Sequence, residues 1–336
     1  MAENIKSVAQ NAERRAFTAR EVRAAWVEAC RLRTLPLAAA GSVIAAGIAV
    51  AYGAFRAEVF ALMFITSVLL QVMANFADDY GDLASGLDDE TRVGPRRGMQ
   101  RGIITPAQMK RALVGLGLVT FAVGLVLIYV SFTGGPAMGE GALAAMAAFA
   151  ALGLVAIAAA VLYTVGPHPY GYLGLGDIVS FIFFGLVAVV AGSFLYLHVV
   201  VFAALVAALA LGLPVAAVMN VNNMRDSSAD AAKGKRTIAN RLLAVGGEQA
   251  MRRYHVALVA GSLALFAAAL VMLRGGGGPA ATVLRMVVLA AAAMPLARAT
   301  RDVAVQPDHT KLDRFMAPTS MGTVLVAIAF SLLVAL

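Results

Sequence analysis

The chain has one cysteine, Cys30, and one tryptophan, Trp26, among 336 residues. A single thiol excludes an intrachain disulfide and a thiolate metal cage. The four histidines, His168, His198, His255 and His309, are scattered and offer no ligand spacing. Charge is scarce too: Asp, Glu, Lys and Arg make up 14% of the residues, with 19 acids against 27 Lys and Arg. No polar stretch is long enough for a separate soluble domain. The glycine run RGGGGP (274–279) lacks a following Lys-Ser/Thr and reads as a flexible turn, not a phosphate loop.

What fills the chain is apolar. Hydrophobic residues are 61% and mean hydropathy is +0.82, whereas a soluble domain holds about 45–50% apolar residues. Apolar runs lie near 36–53, 59–77, 110–132, 141–163, 178–197, 200–219, 253–273, 281–299 and 318–336. Each approaches the roughly 20 residues that cross a bilayer. The expected fold is an all-α integral membrane protein of about nine transmembrane helices. Residues 1–30 are a polar leader, cytoplasmic or interfacial, and 31–336 form the transmembrane domain. No small-residue cleavage site follows Arg31 and Arg33, so the first run is a retained span.

The net charge of +8 is explained by topology before nucleic acid is invoked. With the N-terminus inside, the cytoplasmic segments hold nearly all Lys and Arg, and only Arg56, Arg274 and Arg285 fall on the outer side, as the positive-inside rule demands. Loops at 78–109, 164–177, 220–252 and 300–317 are then cytoplasmic, and nine spans leave the C-terminus outside.

Two acidic clusters stand at cytoplasmic ends of apolar runs. One reads NFADDYGD (75–82), with Asp88, Asp89 and Glu90 beyond it; the other reads NVNNMRDSSAD (220–230). Acid near a bilayer is costly and tends to be functional. Asp78 and Asp82 are spaced i, i+4, Asp79 and Asp82 i, i+3, and Asp226 and Asp230 i, i+4, which puts each pair on one helix face. Like charges that close repel unless a cation lies between them. Carboxylates suit Mg²⁺, which binds through one or two of them plus substrate phosphates. The competing reading is a solvated acidic surface loop. Asn75 precedes Asp79, and Asn222 precedes Asp226, by four residues each. Such a repeat, four spans apart, would bring equivalent helix ends face to face around a central cavity. Basic runs follow both clusters: Arg92, Arg96, Arg97 and Arg101 after the first, and Lys233, Lys235, Arg236 and Arg241 after the second. They can grip phosphate oxygens, or serve topology alone. YTVGPHPYGYLGLGD (163–177) offers Tyr163, Tyr170 and Tyr172 to a flat aromatic ligand, or to an interfacial belt.

These residues resemble the UbiA superfamily of intramembrane aromatic prenyltransferases. The closer likeness is to its branch acting on 1,4-dihydroxy-2-naphthoate in menaquinone synthesis. It is carried by DYGD (79–82) with Asp88, GPRRGMQRGIIT (94–105), YTVGPHPYGYLGLGD (163–177), FFGLVAV (183–189), and NNMRD (222–226) with GKRT (234–237). The resemblance spans the chain from RLRTLP (31–36) onward. It implies nine helices around a central cavity in a bacterial inner membrane, with the active site facing the cytoplasm. It implies a polyprenyl diphosphate held through Mg²⁺, transfer of its prenyl group to the naphthoate with loss of the ring carboxylate, and release of demethylmenaquinone and diphosphate. Carried over, Asp79, Asp82, Asp226 and Asp230 are catalytic. The metal ligands are these four with Asp78 and Asp88. Asn75, Asn222, Arg97, Arg101, Lys233 and Arg236 meet the diphosphate, and Tyr163, Tyr170 and Arg33 the aromatic ring. The family carries Asn at the place of Asp78, so Asp78 is a departure. Sister enzymes acting on 4-hydroxybenzoate, homogentisate or haem are the nearest alternative, and the PYGYLGLGD and GPRRGMQ segments argue against them. A cation-coupled transporter is the alternative of another class; it would place its charges near the bilayer midplane. A CDP-alcohol phosphotransferase would need a DGxxAR pattern, which is absent from the sequence.

Overall fold

Apolar runs of this length can satisfy their backbone groups in a bilayer only by closing helices on themselves. The computed structural model describes residues 17–86, 96–135, 139–273 and 278–336. Its helices are α1 (Ala19–Ala29), α2 (Leu35–Ala51), α3 (Ala57–Ser85), α4 (Pro106–Gly134), α5 (Ala142–Leu162), α6 (Gly176–Leu197), α7 (Phe202–Ala232), α8 (Ile238–Met272), α9 (Gly278–Val305) and α10 (Asp313–Ala335). Short 3₁₀ turns cover Tyr170–Leu173 and His309–Lys311, and there is no strand among the described residues.

Eight of these helices, α3 to α10, are long and apolar enough to cross a membrane. The run expected at 36–53 forms α2, which has only 17 residues, below the roughly 20 that a bilayer asks for. Pro36 sits in its first turn, and it stops at Tyr52 before Gly53, whose φ is 67°. α2 is buried along most of its length and packs against α3, α6 and α10.

Several helices outrun the apolar patterns that announced them. α3 continues past 77 to Ser85, and α7 past 219 to Ala232, so both acidic clusters are helical. α8 starts at Ile238, not 253, because a short helix joins it across Gly246 and Gly247. The φ of 64° at Gly247 is a conformation glycine takes without strain. The second half of the expected leader also belongs to the helical body. Thr18 and Glu21 form a capping box at the start of α1, and Trp26 packs on Phe76 with ring centres 5.4 Å apart.

The main core lies where α2, α7, α8 and α10 meet; Ile44, Ile48, Leu211, Phe266 and Phe330 are fully buried there. Leu118, Leu143 and Val283 on α4, α5 and α9 are exposed, as lipid-facing positions would be.

Gly81 marks the closest approach of α3 to the 163–175 loop. A Cβ there would lie 2.4 Å from the Thr164 carbonyl oxygen and 2.6 Å from its Cβ. Thr164 in turn donates to the Ala77 carbonyl at 2.8 Å. Gly81→Ala should therefore lower stability by about 1–3 kcal/mol through overpacking, read as a lower melting temperature in detergent. An unchanged melt would contradict this contact.

Candidate active site

A cavity of about 830 Å³ runs between α2 to α7 and the start of α10. The acidic ends of α3 and α7 meet at its polar end. Asn75, Asp78 and Asp82 enter from α3, and Asn222, Asp226 and Asp230 from α7. The spacings i, i+3, i+7 and i, i+4, i+8 place each set on one helix face. The other end is apolar, with Leu127, Ile128 and Phe149 on its wall. Phe183, Phe184, Val187 and Ala188 line it from a π-wound stretch of α6 spanning Phe181–Ala191.

Arg33, Arg97, Lys233, Tyr163 and Tyr170 also line the cavity. Three expected site residues do not. Asp79 is 1% exposed because its position on α3 turns it behind Asp78. There Arg31 donates to it at 2.7 Å and Arg97 lies 3.5 Å away. Arg101 pairs with Glu28 on α1. Arg236 uses its backbone N–H to bond the Tyr172 carbonyl at 2.8 Å. Asp88 lies outside the described residues.

The structure also brings to the site residues beyond those carried over from the family resemblance. Lys235 is buried; its Nζ stands 3.3 Å from Asp230 and 5.7 Å from the centre of the Tyr172 ring. Burial works against the charge on Lys235, but Asp82 and Asp230 outweigh it and hold its pKa above the ordinary lysine value. The Tyr172 hydroxyl donates to Asp82 at 2.9 Å. Burial, reinforced by Asp82, raises the phenol's pKa, so it stays a neutral donor. Arg31 binds both Asp78 and Asp79 from a backbone with φ 51°. Arg225 binds Asp226 with two donors, Asn222 with a third contact, and Asp313 on α10. Asp177, 2% exposed, accepts from Asn223 at 3.0 Å and Tyr254 at 3.4 Å, tying α6 to α7 and α8. Each of these sits inside or beside a motif already noted. Which basic neighbour turns inward is set by contacts between segments far apart in the chain, as where Arg31 meets Asp78 and Asp79.

The site thus sets carboxylates from two helices around buried cations at the mouth of an apolar pocket. No group of three or more His, Cys, Asp or Glu forms a metal cage among the described residues. The donor set nonetheless fits Mg²⁺. Four carboxylates of the two acidic motifs line one cavity, and the buried Oδ2 of Asp230 makes no hydrogen bond, with only the Lys235 ammonium 3.3 Å away. A cation of this kind is commonly completed by substrate phosphates. Such a site can hold an anionic, metal-bound head group at one end and an apolar tail at the other.

Residues 39–320 match the UbiA prenyltransferase family. The chain is 43% identical over 243 residues to the 1,4-dihydroxy-2-naphthoate octaprenyltransferase of Escherichia coli (strain K12), covering 72% of this chain and 75% of that protein. It is 38% identical over 313 residues to the 1,4-dihydroxy-2-naphthoate octaprenyltransferase of Haemophilus influenzae, covering 91% and 94%. Among solved structures it resembles a digeranylgeranylglyceryl phosphate synthase, with a TM-score of 0.56 at 16% identity over 94% of this chain and 99% of the other. That last likeness speaks to the fold alone.

Proposed function

The chain belongs to the UbiA prenyltransferase family, and from this we propose that it transfers a polyprenyl group from polyprenyl diphosphate to 1,4-dihydroxy-2-naphthoate. The ring carboxylate leaves as CO₂, and diphosphate and demethylmenaquinol, the reduced form of demethylmenaquinone, are released. The observation that carries this reading is the meeting of Asp78, Asp82, Asp226 and Asp230 at the polar end of an apolar cavity. It stands in a chain 38% identical, over 91% of its length, to a naphthoate octaprenyltransferase.

Those four aspartates would hold Mg²⁺, which when bound neutralises charge on the departing diphosphate. Arg97, Lys233 and Lys235 line the same cavity and would grip phosphate oxygens directly. Their positive charge is fixed in place before reaction, which favours a leaving group that gains charge as the allylic C–O bond breaks. The ring's electron pair forms the new C–C bond to the allylic carbon. Tyr163 and Tyr170 offer flat walls for that ring. Leu127, Ile128, Phe149 and Phe183 would hold the prenyl tail and exclude water, which would otherwise quench a cationic carbon. We place the protein in the inner membrane of a bacterium, with α2 as a ninth span, the N-terminus and active site on the cytoplasmic side, and the C-terminus outside.

Acceptor identity is tested by offering the purified protein 1,4-dihydroxy-2-naphthoate, 4-hydroxybenzoate and homogentisate side by side with one polyprenyl diphosphate. Product from the naphthoate alone is expected. Product from either other ring instead would keep the chemistry and overturn the acceptor.

A further inference from the structure

Arg225 looks at first like one more phosphate-binding cation, since it lines the cavity beside Asp226. Its donors are already committed. Nε and one terminal nitrogen bond the two oxygens of Asp226 at 2.8 and 2.6 Å. That same terminal nitrogen bonds the Asn222 side-chain oxygen at 2.9 Å. The other terminal nitrogen bonds Asp313 and contacts the Met316 sulfur at 3.7 Å. Only 5% of the Arg225 side chain is exposed. A planar guanidinium that meets both oxygens of one carboxylate fixes that carboxylate's rotation as well as its position.

Asp313 opens α10, far from Asp226 in sequence. The turn before it is docked as well: His309 bonds Glu248 on α8 at 2.9 Å and approaches Ser228 on α7 at 3.4 Å. α10 is therefore anchored where it delivers Asp313. Without Asp313, Arg225 would keep its bond to Asp226 but lose the contact that holds the guanidinium from the far side.

We propose that Arg225 and Asp313 form a positioning pair, in which Asp313 on α10 orients Arg225, and Arg225 orients Asp226 and Asn222 toward the diphosphate-binding end of the cavity. The inference rests on the prenyl transfer proposed above. It makes the last helix part of the diphosphate subsite. It also separates Arg225 from Lys233 and Lys235, which serve as charges toward the ligand.

The test uses the full chain purified in detergent, with Asp313→Asn, Arg225→Lys and the double variant. Mn²⁺ binding is followed by EPR, and KM is measured for each substrate separately. The Asp313 side chain is 43% exposed, but the guanidinium it meets is buried; losing this charged contact in Asp313→Asn should raise KM for the polyprenyl diphosphate and weaken Mn²⁺ binding, each by about tenfold. KM for the aromatic acceptor should stay within about twofold, because that ring meets other walls. Arg225→Lys should not rescue, since an ammonium cannot bond both carboxylate oxygens. The double variant should be no worse than Arg225→Lys alone, as expected of residues acting as a unit. Unchanged Mn²⁺ binding and unchanged diphosphate KM in Asp313→Asn would overturn the pair. So would an equal rise in both KM values, which marks a general structural defect. Asp313→Asn is nearly isosteric and keeps the test open should Arg225→Lys fail to fold. A wild-type protein that prefers another aromatic acceptor would overturn the acceptor assignment and leave the Mn²⁺ and diphosphate readings intact.

Discussion

Asp226→Ala and Asp79→Ala should each lower turnover by about a thousandfold, the scale seen when one preorganised electrostatic group is removed. The two losses have different physical routes. Asp226 faces the cavity, and its removal takes away a carboxylate that would hold the metal-bound diphosphate. It also strands Arg225, whose two bonds to Asp226 vanish. Asp79 faces away from the cavity and lies 2.7 Å from Arg31 and 3.5 Å from Arg97. Without it, two guanidiniums lose a shared anion beside Asp78, and the wall they form is free to shift. Product formation by purified variants that remain folded in detergent checks both. Near-normal turnover in either would contradict the role assigned to that motif.

Lys235→Met should be the next most damaging change, with turnover down by about a hundredfold and a clear loss of thermal stability. Removing one partner of a buried charge pair costs about 3–5 kcal/mol because the other is left uncompensated. Here Asp230, at the end of α7, loses the ammonium that stands 3.3 Å away, while Asp82 keeps the Tyr172 hydroxyl at 2.9 Å. The methionine fills most of the volume, so the loss reports charge, not packing. Melting temperature and turnover measured on one preparation separate the two effects. A variant with full turnover would show that Lys235 only balances charge.

Much of this arrangement is legible in the residues themselves. The spacing of Asp78 with Asp82, and of Asp226 with Asp230, correctly puts each pair on one face, because helical periodicity continues past the apolar runs. Hydropathy marks where lipid contact ends, not where hydrogen bonding ends, so it stops α3 and α7 several residues early. The short apolar pattern of α2 cannot distinguish a spanning helix from a buried one. The direction of Asp79 is another matter. It is one position along from Asp78, about 100° around the helix, and its burial depends on Arg31 reaching over from the segment before α2. Contacts of that range leave no local pattern. The same holds for Asp313, which meets Arg225 from the far end of the chain, and for Lys235, which a reading of its loop cannot separate from Lys233 and Arg236.

Prenyl transfer to the naphthoate is tested most directly by the mass of the product. Purified protein is given polyprenyl diphosphate, 1,4-dihydroxy-2-naphthoate and Mg²⁺, with a parallel sample containing a chelator. The proposed transfer predicts a prenylated naphthoquinol that lacks the carboxylate, formed with Mg²⁺ and absent with the chelator. A folded protein that yields no prenylated product from any aromatic acceptor would contradict it.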